Sequence, residues 1–316
     1  MKRREVIAAG AAVLLCPRAT EGQPAARVYR LAVLSPSLTS YDTLRGELAK
    51  LGFVEGRNLA IDARVGAPAD LPRLARELIA EKPDAAMAVS AAVAAMAEST
   101  RTVPIIAFGP DPIAQGFAQS LARPGGNVTG VVILASELDG KRLQLLQEAT
   151  PGRRMGVLLH PATQSLRDSR REIVSAAAAA GTEPIFVEAT GAEDYAAALG
   201  ALKAAGVGSL VIAANPWFYR DRELIARLAR EARLATACEW GDMAASGCLI
   251  GYGPRRAELY QRLAHLIARV LAGTPASELP IEQPANFELV LNLQTAKALG
   301  LTIPPTLLAR ADEVIE

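Results

Sequence analysis

Nine residues bring polar or aromatic chemistry to the points where apolar runs of this chain give way to loops: Ser35, Ser37, Ser90, Asp111, His160, Asn215, Trp217, Glu239 and Tyr252. A hydroxyl beside free backbone amides at a helix start can hold a carboxylate, which is the chemistry offered by Ser90, while Ser35 and Ser37 after the first strand can donate hydrogen bonds. A carboxylate such as Glu239 can pair with an ammonium group. An indole ring can stack on a flat solute for roughly 0.5–1.5 kcal/mol beyond its buried area. The run Trp217-Phe218-Tyr219 stands out because aromatics make up only 4% of the chain. Each residue also has a structural alternative: Ser90 and Asp111 as helix caps, Glu239 in an ion pair with an arginine, Phe218 in the core.

The same inventory speaks against covalent or metal catalysis. There are 2 histidines, and His160 has no acid or nucleophile beside it in sequence, so it is read as lining a cleft. The 3 cysteines, Cys16, Cys238 and Cys248, form neither a Cys-x-x-Cys pair nor a Cys/His cluster with zinc spacing. No Gly-x-Gly-x-x-Gly sits at a strand-to-helix turn, and there is no Walker loop or nucleophile elbow. Binding without a cofactor or metal is therefore the leading reading, and a two-domain enzyme acting on a small metabolite is the alternative. Cys238 and Cys248 leave a disulfide open, with buried thiols the favoured reading because neighbouring parallel strands need not offer bridge geometry.

The elements that must carry these residues follow from hydrophobic periodicity. Short runs that are apolar throughout, such as Leu31 to Leu34, Ala85 to Val89, Val103 to Phe108, Met155 to Leu159 and Leu210 to Ala213, alternate with patterns of helical spacing. Strands apolar on both faces belong to parallel sheets covered by helices on each side. The pattern runs through once to the stretch LARPGGNVTG (Leu121 to Gly130) and then begins again. That predicts two doubly wound α/β lobes, and in such folds ligands bind beyond the carboxyl ends of the strands. A helix is expected through Phe117 and Leu121, a helix over Glu258 to Leu271, an extended run from Leu279 to Leu293, and a last helix over Leu293 to Leu299.

Composition narrows the class further. Of 316 residues, 51% are hydrophobic and 21% charged, which is globular, and 34 basic against 33 acidic residues leave a net charge of +1, with no footprint for nucleic acid. Residues 1–26 read as an export signal: Lys2, Arg3 and Arg4 precede an apolar stretch too short for a permanent anchor, and the arginine pair resembles a twin-arginine leader. Leu15 stands before Cys16 where lipidation would want a small residue. The mature protein is expected outside the cytoplasm.

Four motifs then carry a resemblance: Leu51-Gly52-Phe53-Val54-Glu55-Gly56-Arg57-Asn58, the run SLARPGGNVTG from Ser120, Lys141-Arg142-Leu143, and the tail FELVLNLQTAKALGLTIPPTLLARADEVIE from Phe287. With these the chain resembles the ABC-transporter substrate-binding family whose members handle tryptophan and related amino acids. The resemblance implies a type I periplasmic binding fold whose chain crosses between lobes near Val131 to Ala135, Tyr252 to Arg255 and Gln283 to Leu289. The implied lobes are 27–132 plus 254–284 and 133–253 plus 285–316. It further implies a monomeric periplasmic receptor that captures a small solute and delivers it to a membrane permease. Trp217 and Ser90 together favour an aromatic amino acid or aromatic acid over branched aliphatic or urea-like solutes. A sugar-responsive repressor of related fold is disfavoured, because an export signal stands where DNA-binding helices would be.

Overall fold

Strands without a polar face need a layer of helix on both sides, and that requirement shapes the whole chain. The computed structural model describes residues 27–133, 135–162, 166–179 and 181–316; the expected export leader, with Cys16, lies outside them. The chain opens with β1 (Tyr29–Ser35), α1 (Tyr41–Lys50), β2 (Leu59–Val65), α2 (Leu71–Ala80) and β3 (Ala85–Val89). Next come α3 (Ala92–Ser99), β4 (Ile105–Gly109), β5 (Val128–Val132), α4 (Ala135–Ala149), β6 (Arg154–Leu159), α5 (Leu166–Ala179) and β7 (Ile185–Glu188). Then follow α6 (Ala192–Ala204), β8 (Val207–Ile212), α7 (Pro216–Arg220), α8 (Arg222–Glu231), β9 (Ala235–Cys238) and α9 (Gly241–Ala245). The chain closes with β10 (Ile250–Pro254), α10 (Arg256–Leu271), β11 (Phe287–Asn292), α11 (Leu293–Ala298), α12 (Pro305–Leu308) and β12 (Glu313–Ile315).

Two α/β lobes result. The first holds a 5-stranded sheet in the order β2-β1-β3-β4-β5, parallel throughout. The second holds a 7-stranded sheet in the order β12-β11-β10-β9-β8-β6-β7. Its β7-β6-β8-β9-β10 portion repeats the first sheet's order in parallel, and β11 then joins antiparallel to β10. In both sheets the order reverses beside the first strand of the unit, between β1 and β3 and between β6 and β8. A crevice opens at such a reversal, beyond the carboxyl ends of the strands. Among the described residues no helix is long and apolar enough to cross a membrane.

The stretch from Leu121 to Gly130 is stitched to a distant segment. Leu121 C=O accepts from Ile281 N–H at 2.8 Å, Gly130 C=O accepts from Glu282 N–H at 2.8 Å, and Val132 N–H donates to Glu282 C=O at 2.9 Å. The Thr129 hydroxyl, fully buried, donates to Leu279 C=O at 2.8 Å. Helix α10 packs against α1, β3, β4 and β5 of the first lobe, although the strands before and after it, β10 and β11, lie in the second sheet.

Four local expectations are corrected. The stretch through Phe117 and Leu121 forms turns, because the Asp111 carboxylate takes the Ile113 N–H at 2.8 Å and Gly116 adopts φ +76°, which ends any helical path. The expected extended run from Leu279 narrows to β11, preceded by a single 3-10 turn at Ala276–Glu278. The helix expected over Leu293 to Leu299 is not the last: Pro305 starts α12, where its missing N–H costs nothing, and β12 follows on the sheet edge. Cys238 and Cys248 are joined in a disulfide with Cα atoms 6.5 Å apart, rather than standing as thiols. The short α9 folds the chain back, so the end of β9 meets the entry to β10, its neighbour in the sheet.

Gly130 is the tightest point of the stitched segment. A Cβ there would lie 1.9 Å from Ala107 O, at φ +151°. Gly130→Ala is expected to lower stability by more than about 2 kcal/mol in urea denaturation; an unshifted midpoint would contradict the constraint.

Candidate functional site

Side chains from both lobes close on a cavity of about 140 Å³. From the first lobe come Ser35, Ser37, Thr39 and Ser40 in the loop after β1, Val89 and Ser90 after β3, and Phe108, Gly109 and Pro110 after β4. Ile133 lies at the passage between lobes, and α10 presents Arg256 and Tyr260. The second lobe contributes Ala214, Asn215 and Pro216 after β8, Tyr219 on α7, and Glu239 and Trp240 after β9. Ser90 holds a left-handed backbone, φ +53°, fixed by its N–H to Phe108 C=O at 2.9 Å, and such a conformation in a non-glycine residue stores strain that the surroundings must impose. The Val93 amide is not free for a ligand, since it donates to Ser90 C=O at 3.1 Å.

Of the nine residues selected from sequence, Ser35, Ser37, Ser90, Asn215 and Glu239 line this cavity. Four do not. Trp217 is only 4% exposed and stacks on His160, ring centroids 4.7 Å apart at 12°, while His160 also meets the edge of Phe218 at 5.8 Å. His160 points one ring nitrogen at Thr190 C=O at 3.3 Å and accepts the Ala162 N–H at 3.1 Å on the other. Burial pushes its pKa down, which favours the neutral ring. Tyr252 stacks on Phe287 at 6.3 Å and offers its carbonyl to Arg142. Asp111 closes its own turn, leaving the neighbouring Gly109 and Pro110 at the wall.

Tyr219, Trp240, Arg256 and Tyr260 are the residues that sequence reading missed as site members. Asn215 explains the first: its side chain accepts the Trp217 N–H at 2.9 Å, capping a short helix over Pro216–Arg220. Residues two apart on a helix point to nearly opposite sides, so Trp217 enters the core while Tyr219 turns to the cavity. Arg256 and Tyr260 are four apart on α10 and share one face; that spacing, just after the strand end at Gly253-Pro254, was the available signal. The Arg256 guanidinium lies over Tyr219 at 4.2 Å and near Tyr260 at 5.8 Å and Trp240 at 5.9 Å. Its Nη2 donates to Ser40 Oγ at 3.1 Å. Its Nε sits 3.4 Å from Asp242 Oδ2, an attraction of charge without hydrogen-bond geometry, and Tyr219 OH donates to the same carboxylate oxygen at 2.8 Å. One guanidinium thereby touches both lobes.

Behind the cavity lies a buried ion pair. Asp139 and Arg142, both 0% exposed, meet at 2.6 Å on α4. Arg142 donates to Tyr252 C=O at 2.8 Å and Glu239 C=O at 3.3 Å, and Asp139 accepts from Ser169 Oγ at 3.1 Å and Ala214 N–H at 3.2 Å. The pair thus fixes the loops after β8 and β9 against strand β10. A Cβ at Gly253 would lie 2.1 Å from Glu239 O, so glycine lets the Glu239 backbone settle against β10. Glu239 is 9% exposed, and burial raises its pKa to about 7, against the pull of Arg142 and the Asn215 backbone N–H. Among the described residues no group of three or more His, Cys, Asp or Glu could hold a metal.

Two doubly wound lobes meet at this cavity, which is the two-lobed α/β architecture of the periplasmic binding fold. Residues 33–315 match the model of a family described as ABC transporter substrate binding protein, and the chain belongs to that family of binding proteins, which are not enzymes. It is similar to a tyrosine-binding protein of Clostridioides difficile strain R20291, 24% identical over 256 residues, 79% of this chain and 73% of the relative. In fold it is similar to a conserved domain protein from Vibrio cholerae, with TM-score 0.82 and 23% identity over 91% of this chain and 100% of that one. It is also similar to an ABC domain in complex with L-Trp from Streptococcus pneumonia, with TM-score 0.80 and 21% identity over 91% and 100% of the two chains.

Removing one member of the buried pair strands the other. Asp139→Asn is expected to cost about 3–5 kcal/mol in chemical denaturation, and adding Arg142→Met should recover most of it. Equal stability of Asp139→Asn and the parent would show that the pair does not hold the loops.

Proposed function

We propose that this protein is the extracytoplasmic receptor of an ABC importer, capturing an aromatic amino acid or aromatic acid between its lobes and presenting the closed form to a membrane permease. The observation that carries the reading is the cavity wall itself: Tyr219, Trp240, Tyr260 and Phe108 supply ring surfaces, and the remaining lining combines five hydroxyls, the Asn215 amide, the Glu239 carboxylate and the Arg256 guanidinium with small aliphatic residues. A flat ring fits among the aromatics, with offset or edge contacts worth roughly 0.5–1.5 kcal/mol each. The solute's carboxylate would face the first-lobe hydroxyls of Ser37, Thr39 and Ser90. A ring between lobes favours closure because only the closed form makes both sets of contacts.

The lobes in this reading are 27–132 plus 254–284 and 133–253 plus 285–316, hinged where Val131, Pro254-Arg255 and the segment after Glu282 pass between them. The receptor acts as a monomer in the periplasm, exported by its leader along the twin-arginine route. The tyrosine-binding relative and the L-Trp-bound structural neighbour support an aromatic amino acid over an aliphatic one.

Isothermal titration of the mature protein with L-tryptophan, L-tyrosine, L-phenylalanine and L-leucine tests this. At least one aromatic amino acid is expected to bind at micromolar Kd or tighter, roughly 8 kcal/mol, with L-leucine at least tenfold weaker. Tyr219→Ala should weaken the aromatic solute at least tenfold. Preference for leucine, or an unchanged Kd in Tyr219→Ala, would overturn the aromatic assignment.

A further inference from the structure

Glu239 is the one acidic side chain among the cavity-lining residues, and it is nine-tenths buried. Burying a carboxylate is costly unless a cation meets it. Among the described residues no cation forms an ion pair with Glu239. Arg142 is engaged with Asp139 at 2.6 Å and reaches only the backbone carbonyl of Glu239, at 3.3 Å. Arg256 is stacked on Tyr219 at 4.2 Å and faces Asp242 at 3.4 Å. What the carboxylate receives is the Asn215 backbone N–H, which leaves acceptor capacity facing the cavity.

We infer that the solute must carry a cationic amine, that Glu239 is its counter-ion, and that capture of the amine expels a proton from Glu239. This deepens the aromatic-amino-acid reading by excluding aromatic acids that lack an amine. The step balances simply: the Glu239 carboxyl gives its proton to water as the ammonium group enters, and the resulting carboxylate and ammonium form the ion pair. No covalent bond is made to the solute.

The surroundings let Glu239 titrate near neutrality. Burial pushes it up to about 7, while Arg142 on α4 and Arg256 on α10 pull it down and Asp139 on α4 pushes it up. The other titratable groups facing this corner are Tyr260 on α10 and Tyr219 on α7, both raised by burial and so neutral in this range, and Asp242 on α9, which is tied to Tyr219 and Arg256. His160 sits behind Trp217, and burial pushes its pKa down. A protonated Glu239 cannot pair with ammonium, so affinity must fall as pH drops below about 7 and level off above it.

The test pairs each amino acid with its deamino analogue: L-tryptophan with indole-3-propionate, L-tyrosine with 3-(4-hydroxyphenyl)propionate, and L-leucine with 4-methylpentanoate. Titrations run at pH 5.5, 6.5 and 7.5 in buffers of different ionisation enthalpy. Expected are at least hundredfold tighter binding of the amine in each pair that binds, a Kd weakening by up to tenfold per unit below pH 7, and release of up to one proton near pH 6. Glu239→Gln, with its fold checked by thermal melting, should bind weakly and without pH dependence; should it not fold, the pH profile and proton count of the parent still decide. Deamino acids that bind as well as the amines overturn the inference while leaving an aromatic solute standing. Binding of leucine alone overturns the aromatic reading and upholds the amine. A pH-independent Kd without proton release, or no binding by any amine, overturns the inference.

Discussion

The site depends on one buried ion pair. Asp139 and Arg142 are not themselves among the cavity-lining residues, yet their hydrogen bonds reach Ala214 after β8, Glu239 after β9, Tyr252 in β10 and Ser169 on α5. Loops at strand ends have few backbone partners of their own, and a guanidinium with five donors can satisfy several carbonyls at once. Once the pair is desolvated, its geometry is held tightly, because any departure leaves a charge in an apolar interior. The disulfide between Cys238 and Cys248 closes the same corner from the other side. Glu239 and Trp240 therefore project into the cavity from a frame fixed by charge on one side and by a covalent link on the other.

Against that second-lobe frame, Arg256 carries a contact of the first lobe across the site. Its guanidinium rests between the ring of Tyr219, on one lobe, and the start of α10 and Ser40, on the other. Planar stacking suits arginine, which can lie on a ring face while its edge still donates. The same guanidinium lies near both Tyr219 and Tyr260, so rings carried by the two lobes meet around one side chain.

Much of this was legible in the chain. Continuous apolar strands alternating with amphipathic helices announce two covered parallel sheets, and the strand-end rule led directly to Ser35, Ser37, Ser90, Asn215 and Glu239. Trp217 misled because an aromatic cluster at a strand end looks the same whether it faces a ligand or the core. Only the Asn215 cap, which makes a helix of the next residues, decides that Trp217 turns inward onto His160 and Tyr219 outward. Arg142 was hidden for a different reason. A charged residue in a helical pattern reads as solvated surface, and nothing local reveals that three strand ends converge on it. The disulfide was ambiguous because cysteine spacing does not report how α9 folds the chain back.

A carboxylate with no ion-pair partner among the described residues and a wall of rings are the two features on which the proposed solute rests. Native mass spectrometry of the protein purified without refolding weighs the retained solute directly. The account predicts an adduct whose mass and fragmentation match an aromatic amino acid. An adduct that is a sugar, a polyol or an acid without an amine would contradict it.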